Sequence, residues 1–158
     1  MFNEKQFLTR EGMEDLEKRL RILQTVRRPA VAERLHNALE EGGDLTENSE
    51  YHDAKNEQAF VEGEIVRISS ILRHAVIINE DEIDKDSVQI GNRVTVRDKE
   101  TKEEEQYHIV GSAEANPRLG KISAESPVGR ALLGAKVKDN VQVKTPDGVI
   151  TFTIRSID

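Results

Sequence analysis

The chain has 158 residues, 34% of them charged, and a formal net charge of −7. Acidic residues outnumber basic ones in both halves, so neither half is a basic arm that would bind nucleic acid through its overall charge. The absence of cysteine excludes disulfides, zinc–thiolate sites and thiol nucleophiles. The N-terminus has no apolar signal segment, and no run approaches the roughly 20 apolar residues that span a bilayer. We therefore expect a cytoplasmic protein without membrane contact.

Helical periodicity dominates the first half of the chain. Apolar residues recur every three or four positions after Thr9, which we expect to cap the helix. Pro29 interrupts this pattern, because it lacks an N–H and its ring crowds the preceding turn, so the helix should kink or restart there. After Gly42 and Gly43 a second stripe alternates steps of three and four: Tyr51, Ala54, Gln58, Val61, Ile65, Ile68, Leu72 and Ala75. Two such helices predict an antiparallel coiled-coil hairpin.

The second half has the period-two pattern of strands. We predict strands at residues 75–79, 92–97, 106–111, 137–144 and 149–157, with a short helix at 127–133 and an acidic linker at 79–87. Pro146, Asp147 and Gly148 form the expected turn between the last two strands. The predicted fold class is α+β, with a coiled-coil hairpin at residues 1–78 and an antiparallel sheet with one short helix at residues 79–158.

Two carboxylates in the turn between the predicted helices, Asp44 and Glu47, allow two interpretations. In the first, Asp44 is the N-cap of the second helix and Glu47 completes a capping box three residues later. In the second, a narrow hairpin presents both carboxylates at its tip, next to the apolar Leu45. Such oxygen ligands suit Mg²⁺, but two of them hold the ion incompletely, so another molecule would have to complete the site.

Three separated motifs carry a resemblance to a known family. They are the tip residues Gly43, Asp44, Leu45, Glu47, Asn48, Glu50, Tyr51, Ala54, Lys55 and Gln58; the upstream Val26, Arg27, Arg28 and Pro29; and the downstream Ser126, Pro127, Gly129, Arg130, Ala131, Leu132, Leu133 and Gly134. Together they cover nearly the whole chain, in one order. The sequence resembles the bacterial Gre transcript-cleavage factors and is closest to the GreA type.

The resemblance implies an accessory factor of bacterial RNA polymerase and not a free-standing enzyme. The hairpin would enter the secondary channel of the polymerase, and a C-terminal domain similar in fold to FKBP-type domains would dock at the channel rim. Asp44 and Glu47 would then help to position a catalytic Mg²⁺ that is held jointly with the polymerase. The reaction would be hydrolysis of the nascent RNA near its 3′ end in a backtracked complex. We expect the factor itself to be a monomer.

The resemblance also suggests two contact surfaces. Arg27, Arg28 and Lys55 are candidates for guiding the extruded RNA, although most charges on a coiled coil are simply solvated. Ser126, Pro127 and Arg130 are the candidates for docking to the polymerase; the same segment would also make an ordinary capped helix packed on the sheet.

Some features depart from the family or point elsewhere. Asn116 stands where an aspartate is common in the family, and the segment before the tip is about one residue longer. The four histidines have no ligand spacing, and we interpret them as surface residues without a metal. Gre-like paralogues that occupy the same channel and inhibit the polymerase are the main alternative, although they typically lack the acidic pair. A plain coiled-coil adaptor would be indifferent to substitution of Asp44.

Overall fold

The computed structural model describes residues 4–43 and 47–158, and its contacts divide the chain into two compact units. Within the described residues, the hairpin unit comprises Glu14–His74, and the sheet unit comprises residues 4–13 together with Ala75–Asp158. The N-terminal segment therefore belongs to the sheet unit by its contacts. The domain boundary at residue 78 stays a prediction.

The hairpin unit is built by helices that run out and back. The first arm consists of α1 (Arg10–Ile22), a π-helical stretch (Leu23–Arg27) and α2 (Arg28–Glu40), and the return arm is α3 (Ser49–Arg73). With 25 residues, α3 is about 38 Å long. The expected stripe is buried between the arms, through Leu16, Leu23, Val31, Leu35 and Ala38 on one side and Ala54, Val61, Ile65 and Ile68 on the other. None of the helices in the described part of the chain is long and apolar enough to cross a membrane.

The interruption predicted at Pro29 takes the form of the π-helical stretch just before it. Pro29 is the second residue of α2, a position in the first turn where its missing N–H removes no hydrogen bond from the new helix. The wider π turn ends where α2 begins, so the arm continues as a helix after the interruption. The chain thus restarts its α-helical hydrogen bonding at Arg28.

The sheet unit holds a five-stranded mixed sheet and a two-stranded one. The larger sheet has the order β5–β4–β3–β7–β6, built from β3 (Arg93–Asp98), β4 (Glu104–Val110), β5 (Lys121–Ser123), β6 (Asn140–Thr145) and β7 (Gly148–Ile157). Neighbouring strands are antiparallel except β5, which is parallel to β4. In the smaller sheet, β1 (Gln6–Leu8) pairs in parallel with β2 (Ala75–Ile77).

One face of the large sheet and the short helix α4 (Pro127–Leu132) enclose the core of this unit. Its buried residues are Val88, Val94, Val96, Ile109, Leu132, Val141, Val143, Phe152, Ile154 and Ile157. The predicted α+β class, the hairpin and the short helix are confirmed, and a strand occurs in each of the five predicted strand regions. The prediction of a purely antiparallel sheet is wrong, because β5 lies parallel to β4, and the predicted strand at 75–79 pairs in parallel with β1 outside the large sheet. Strands β1 and β5 were not predicted, because neither three-residue segment continues into a run of valine and isoleucine as β2 does.

The predicted cap of α1 is also confirmed. Thr9 Oγ1 accepts a hydrogen bond of 3.0 Å from the backbone N–H of Gly12. The Thr9 hydroxyl and N–H both donate to the carboxylate of Glu114, which follows β4 in the sheet unit. A Cβ added to Gly12 would lie 2.4 Å from that carboxyl carbon, so the contact requires glycine there. These bonds fix the start of α1 within the sheet unit.

Candidate functional site at the hairpin turn

The turn between α2 and α3 places Glu47 on the surface. After α2 ends at Glu40, Gly42 and Gly43 adopt positive φ angles of 71° and 95°, which glycine accepts without steric cost. Glu47 lies in a turn and its side chain is exposed, whereas α3 begins only at Ser49. Asp44 lies outside the described residues, as do Leu45 and Thr46. The structure therefore locates one of the two predicted metal-positioning carboxylates.

Asn48 performs the capping that the sequence analysis considered for the acidic pair. Its side-chain oxygen accepts a hydrogen bond of 3.0 Å from the N–H of Tyr51, and its amide nitrogen donates to the carbonyl of Ala38 at 3.1 Å. One side chain thus caps the start of α3 and holds the end of α2. Asn48 was predicted only as part of the family motif, although asparagine directly before a helical stripe is a common N-cap signal.

The capping-box interpretation of the carboxylates is wrong for this structure. A capping box needs the carboxylate three residues after the N-cap, inside the first turn of the helix. Glu47 instead comes one residue before the N-cap Asn48. Its exposed carboxylate is therefore not required to satisfy the N–H groups at the start of α3.

The flanks of the hairpin are lined by ion pairs between its two arms. Arg27 contacts Glu57 at 3.0 Å, and Arg28 donates two hydrogen bonds of 2.7 and 2.8 Å to Glu62. The hydrogen bonds to Glu62 raise the pKa of Arg28 above its usual value and lower that of the carboxyl. Two of the predicted RNA-binding residues thus pair with glutamates on the opposite arm.

A further arginine, which sequence analysis did not single out, joins this network. Arg34 bonds to Glu50 at 2.7 Å and also contacts Glu57, so it connects α2 to the first three turns of α3. The bond to Glu50 raises the pKa of Arg34. Its position could have been inferred from the opposite charges on the two arms, but only once their register was known.

Lys55, the third predicted RNA contact, lies within two turns of the start of α3. Its side chain is exposed, with Nζ 6.0 Å from the centre of the Tyr51 ring and 3.4 Å from the side-chain oxygen of Gln58. Tyr51 itself is half-buried, as expected for a residue of the stripe. Lys55 is thus on the same side of the tip as an aromatic ring.

The predicted docking residues lie at the start of α4 in the sheet unit. Ser126 is the N-cap: its hydroxyl accepts from the N–H of Gly129 at 3.0 Å and donates to the carbonyl of Ser123 at 2.7 Å. Pro127 is the first residue of α4, and it is exposed together with Arg130. Ser126 therefore has a structural role of its own, whereas Pro127 and Arg130 present free surface. Docking by these residues stays a prediction.

The surface interpretation of the histidines fails at His108, which is 9% exposed on β4. It lies far along the chain from the acidic tip. Its pKa is lowered mainly by burial and to a smaller extent by the positive charge of Arg93. Over residues 4–43 and 47–158, no three histidine or carboxylate side chains converge in a way that could hold a metal ion. At the turn, the exposed carboxylate of Glu47 has the oxygen donors that Mg²⁺ prefers, so the residue type fits this ion.

Comparisons with known proteins identify the family. A family model described as "Transcription elongation factor, N-terminal" matches residues 6–77, and one described as "Transcription elongation factor, GreA/GreB, C-term" matches residues 83–158. Transcription elongation factor GreA of Acetivibrio thermocellus is 52% identical over 155 residues, which cover 98% of this chain and 97% of that protein. The GreA protein of Clostridium beijerinckii is 51% identical over 158 residues, covering 99% and 98%. The crystal structure of GreA factor homolog 1 (Gfh1) from Thermus thermophilus is 31% identical, with a TM-score of 0.47 over 98% of this chain and 99% of that one. The two family models together span nearly the whole sequence, and the chain belongs to the GreA/GreB family of transcription elongation factors, as a member of the GreA type.

Proposed function

We propose that this elongation factor binds bacterial RNA polymerase and stimulates hydrolytic cleavage of nascent RNA in backtracked complexes. The hairpin turn would reach the polymerase active site through the secondary channel, with the RNA 3′ end as its target. The observation that carries the proposal is the exposed carboxylate of Glu47, directly before a helix that Asn48 already caps. The family, whose relatives are named transcription elongation factors, supports the same function.

The chain itself would contribute ligands and not a complete active site. Asp44 and Glu47 are the residues that would hold Mg²⁺ jointly with the polymerase. When bound, this ion supplies Lewis-acid activation of water for attack on the phosphodiester. The two carboxylates would also accept hydrogen bonds from the attacking water and so orient it. This role is that of an accessory factor.

The ion-paired hairpin would keep the tip in place. Arg34 links α2 to Glu50 in the first turn of α3, and Asn48 ties the end of α2 to the same turn. Both contacts restrict the segment that carries Glu47, and positioning within about 0.5 Å is what catalytic groups require. The contacts of Arg34 and Asn48 therefore brace the start of α3 next to Glu47, which supports a role in catalysis.

RNA guidance and docking belong to the same proposal. Lys55 is exposed near the tip and is the best placed of the candidates for a phosphate contact. Arg27 and Arg28 would have to share their guanidinium groups between RNA and the glutamates that they contact. The exposed Pro127 and Arg130 would lie at the polymerase rim, with the sheet unit as the docking element.

The test uses stalled, backtracked elongation complexes that carry 3′-labelled RNA. The wild-type factor should accelerate release of short labelled fragments in the presence of Mg²⁺. At a subsaturating Mg²⁺ concentration, the variants Asp44→Asn and Glu47→Gln should lose most of the acceleration but still bind polymerase. Glu33→Gln, which removes an exposed carboxylate from the middle of α2, is the matched control and should cleave normally. Binding without stimulated cleavage by the wild type would refute the proposal and favour an inhibitor of the same fold.

A further inference from the structure

Three basic side chains form a row across the edge of the large sheet. Arg93 on β3 is paired in register with His108 on β4, which is paired in turn with Lys121 on β5. Residues directly opposite one another on neighbouring strands project to the same face. With Gln106, Leu119 and Gly120, the three side chains line a cavity of about 150 Å³. Nothing in the proposed transcript-cleavage function uses this cavity.

An unpartnered nitrogen is buried at the centre of the row. His108 is only 9% exposed, and its Nε2 atom has no hydrogen-bond partner among the described residues. The backbone of the same residue is satisfied, since its N–H donates to the carbonyl of Gly120 at 2.8 Å. Buried polar atoms are almost always hydrogen-bonded, because an unmade bond costs the full desolvation of the group. The described protein atoms therefore leave Nε2 without the partner that a buried polar atom normally has.

The surrounding charges favour an anion as that partner once His108 is protonated. Arg93 contacts Glu80 at 3.4 Å, and Lys121 contacts Glu114 at 3.5 Å. Both contacts are long, and each uses only part of the donor capacity of its cation. The remaining N–H groups of Arg93 and Lys121 can therefore donate to a ligand. The formal charges within each of these two ion pairs cancel. Protonation of His108 therefore gives the cavity lining and its paired glutamates one net positive charge.

We propose that this cavity binds a small tetrahedral oxyanion of the phosphate type. His108 Nε2–H would donate to one oxygen of the ion, and Arg93 and Lys121 would donate from the two neighbouring strands. Charge-assisted hydrogen bonds of this kind are the strong ones, and three donors from three strands suit a tetrahedral ion. We assign the free ion as the ligand, since a cavity of about 150 Å³ holds a group of the size of phosphate.

The site has a built-in dependence on pH. Burial and the charge of Arg93 lower the pKa of His108, whereas the facing carboxylates Glu80 and Glu114 oppose the shift and Lys121 adds to it. A bound oxyanion stabilises the imidazolium form, so binding and protonation favour each other. The ion should bind more tightly as pH falls toward and below about 6.5, the usual histidine value from which the pKa of His108 is lowered.

The first test observes His108 in the intact wild-type protein. Its ring proton resonances are followed by NMR during titration with sulfate, which keeps its charge over this pH range, at constant ionic strength set with chloride. We expect a saturable shift confined to the cavity, a higher pKa of His108 with sulfate bound, and competition by inorganic phosphate. No saturable shift, or an equal response to chloride, would overturn the proposal.

Variants provide the second test. Lys121→Gln and Arg93→Gln should each weaken sulfate binding about tenfold, since a hydrogen bond to a charged group contributes about that factor. Lys144→Gln on β6 removes an exposed lysine from the same sheet outside the cavity and is the matched control. If the control weakened sulfate binding equally, binding would depend only on the overall charge of the protein, and this would also overturn the proposal. Transcript cleavage is a separate measurement, so failure of either proposal leaves the other distinguishable.

Discussion

Replacing Asn48 with alanine should destabilise the hairpin more than any change to the acidic tip. The substitution removes two hydrogen bonds at once, the cap accepted from Tyr51 and the bond donated to Ala38. Loss of an N-cap costs about 1 kcal/mol, and loss of a further intramolecular hydrogen bond about 1 kcal/mol. The free energy of unfolding should therefore fall by about 2 kcal/mol.

A set of matched variants separates the two contributions. Asn48→Asp retains the accepting oxygen but loses the donating amide, so it should lose about half as much, or about 1 kcal/mol. Asn56→Ala changes an exposed asparagine within α3 and should be neutral or slightly stabilising, because alanine has the higher helix propensity. Glu47→Gln should change stability by no more than about 0.5 kcal/mol, as for other surface substitutions.

Urea unfolding followed by far-ultraviolet circular dichroism measures all four variants against the wild type. The order of stability should place Asn48→Ala lowest, then Asn48→Asp, with the other two variants close to the wild type. A loss for Glu47→Gln equal to that for Asn48→Ala would refute the assignment of the cap, and it would restore the capping-box interpretation of the tip.

Three further predictions follow from the sheet and hairpin units. Gly129→Ala should lower the free energy of unfolding by about 3 kcal/mol, because its Cβ would lie 2.0 Å from the carbonyl oxygen of Ser123; urea denaturation tests this. Gly63→Ala is the contrasting case, since α3 leaves open space there, and thermal unfolding should show a gain of about 0.5–1 kcal/mol. The pKa of His108 is lowered by folding, so the unfolded chain binds more protons; without a bound anion, stability should fall as pH drops below about 6.5. His108→Gln should flatten that decline in urea titrations at several pH values, and an unchanged slope would contradict the assignment.

The hairpin could be predicted because its buried stripe is long. Between Tyr51 and Leu72 the heptad steps repeat without a slip, and a helix must bury such a face. The start of the second helix was harder to predict, because asparagine and aspartate both cap helices. The sequence contains both residue types there, at Asp44 and Asn48. Only the position where α3 begins, at Ser49, distinguishes them.

The sheet unit was predictable in outline but not at its edges. Strands β1 and β5 have three residues each, and their pairing is determined by contacts with distant segments. His108 was misassigned to the surface because the end of β4 is covered on both faces: His108, Ile109 and Val110 are all buried, so alternation carries no information there. The covering segment is close, since a Cβ at Gly111 would lie 2.1 Å from the carbonyl oxygen of Phe7.

The family could be inferred from motifs, whereas the local roles of residues could not. The ion pairs of Arg27 and Arg28 with α3 depend on the register of the two arms, which the motif does not encode. The same holds for Arg34, whose partners lie 16 and 23 residues away in sequence. Residue roles at the hairpin surface therefore follow only from the register of the folded arms.

The central claim is that the acidic tip lends metal ligands to the polymerase, and the Mg²⁺ dependence of transcript cleavage tests it most directly. Initial cleavage rates of backtracked complexes would be measured across a Mg²⁺ titration with the wild type and with Glu47→Gln, each at a saturating concentration. A lost ligand should shift the half-saturating Mg²⁺ concentration upward, with partial recovery of the rate at high Mg²⁺. An unchanged Mg²⁺ midpoint, with only a lower plateau or no effect on the rate, would contradict the claim.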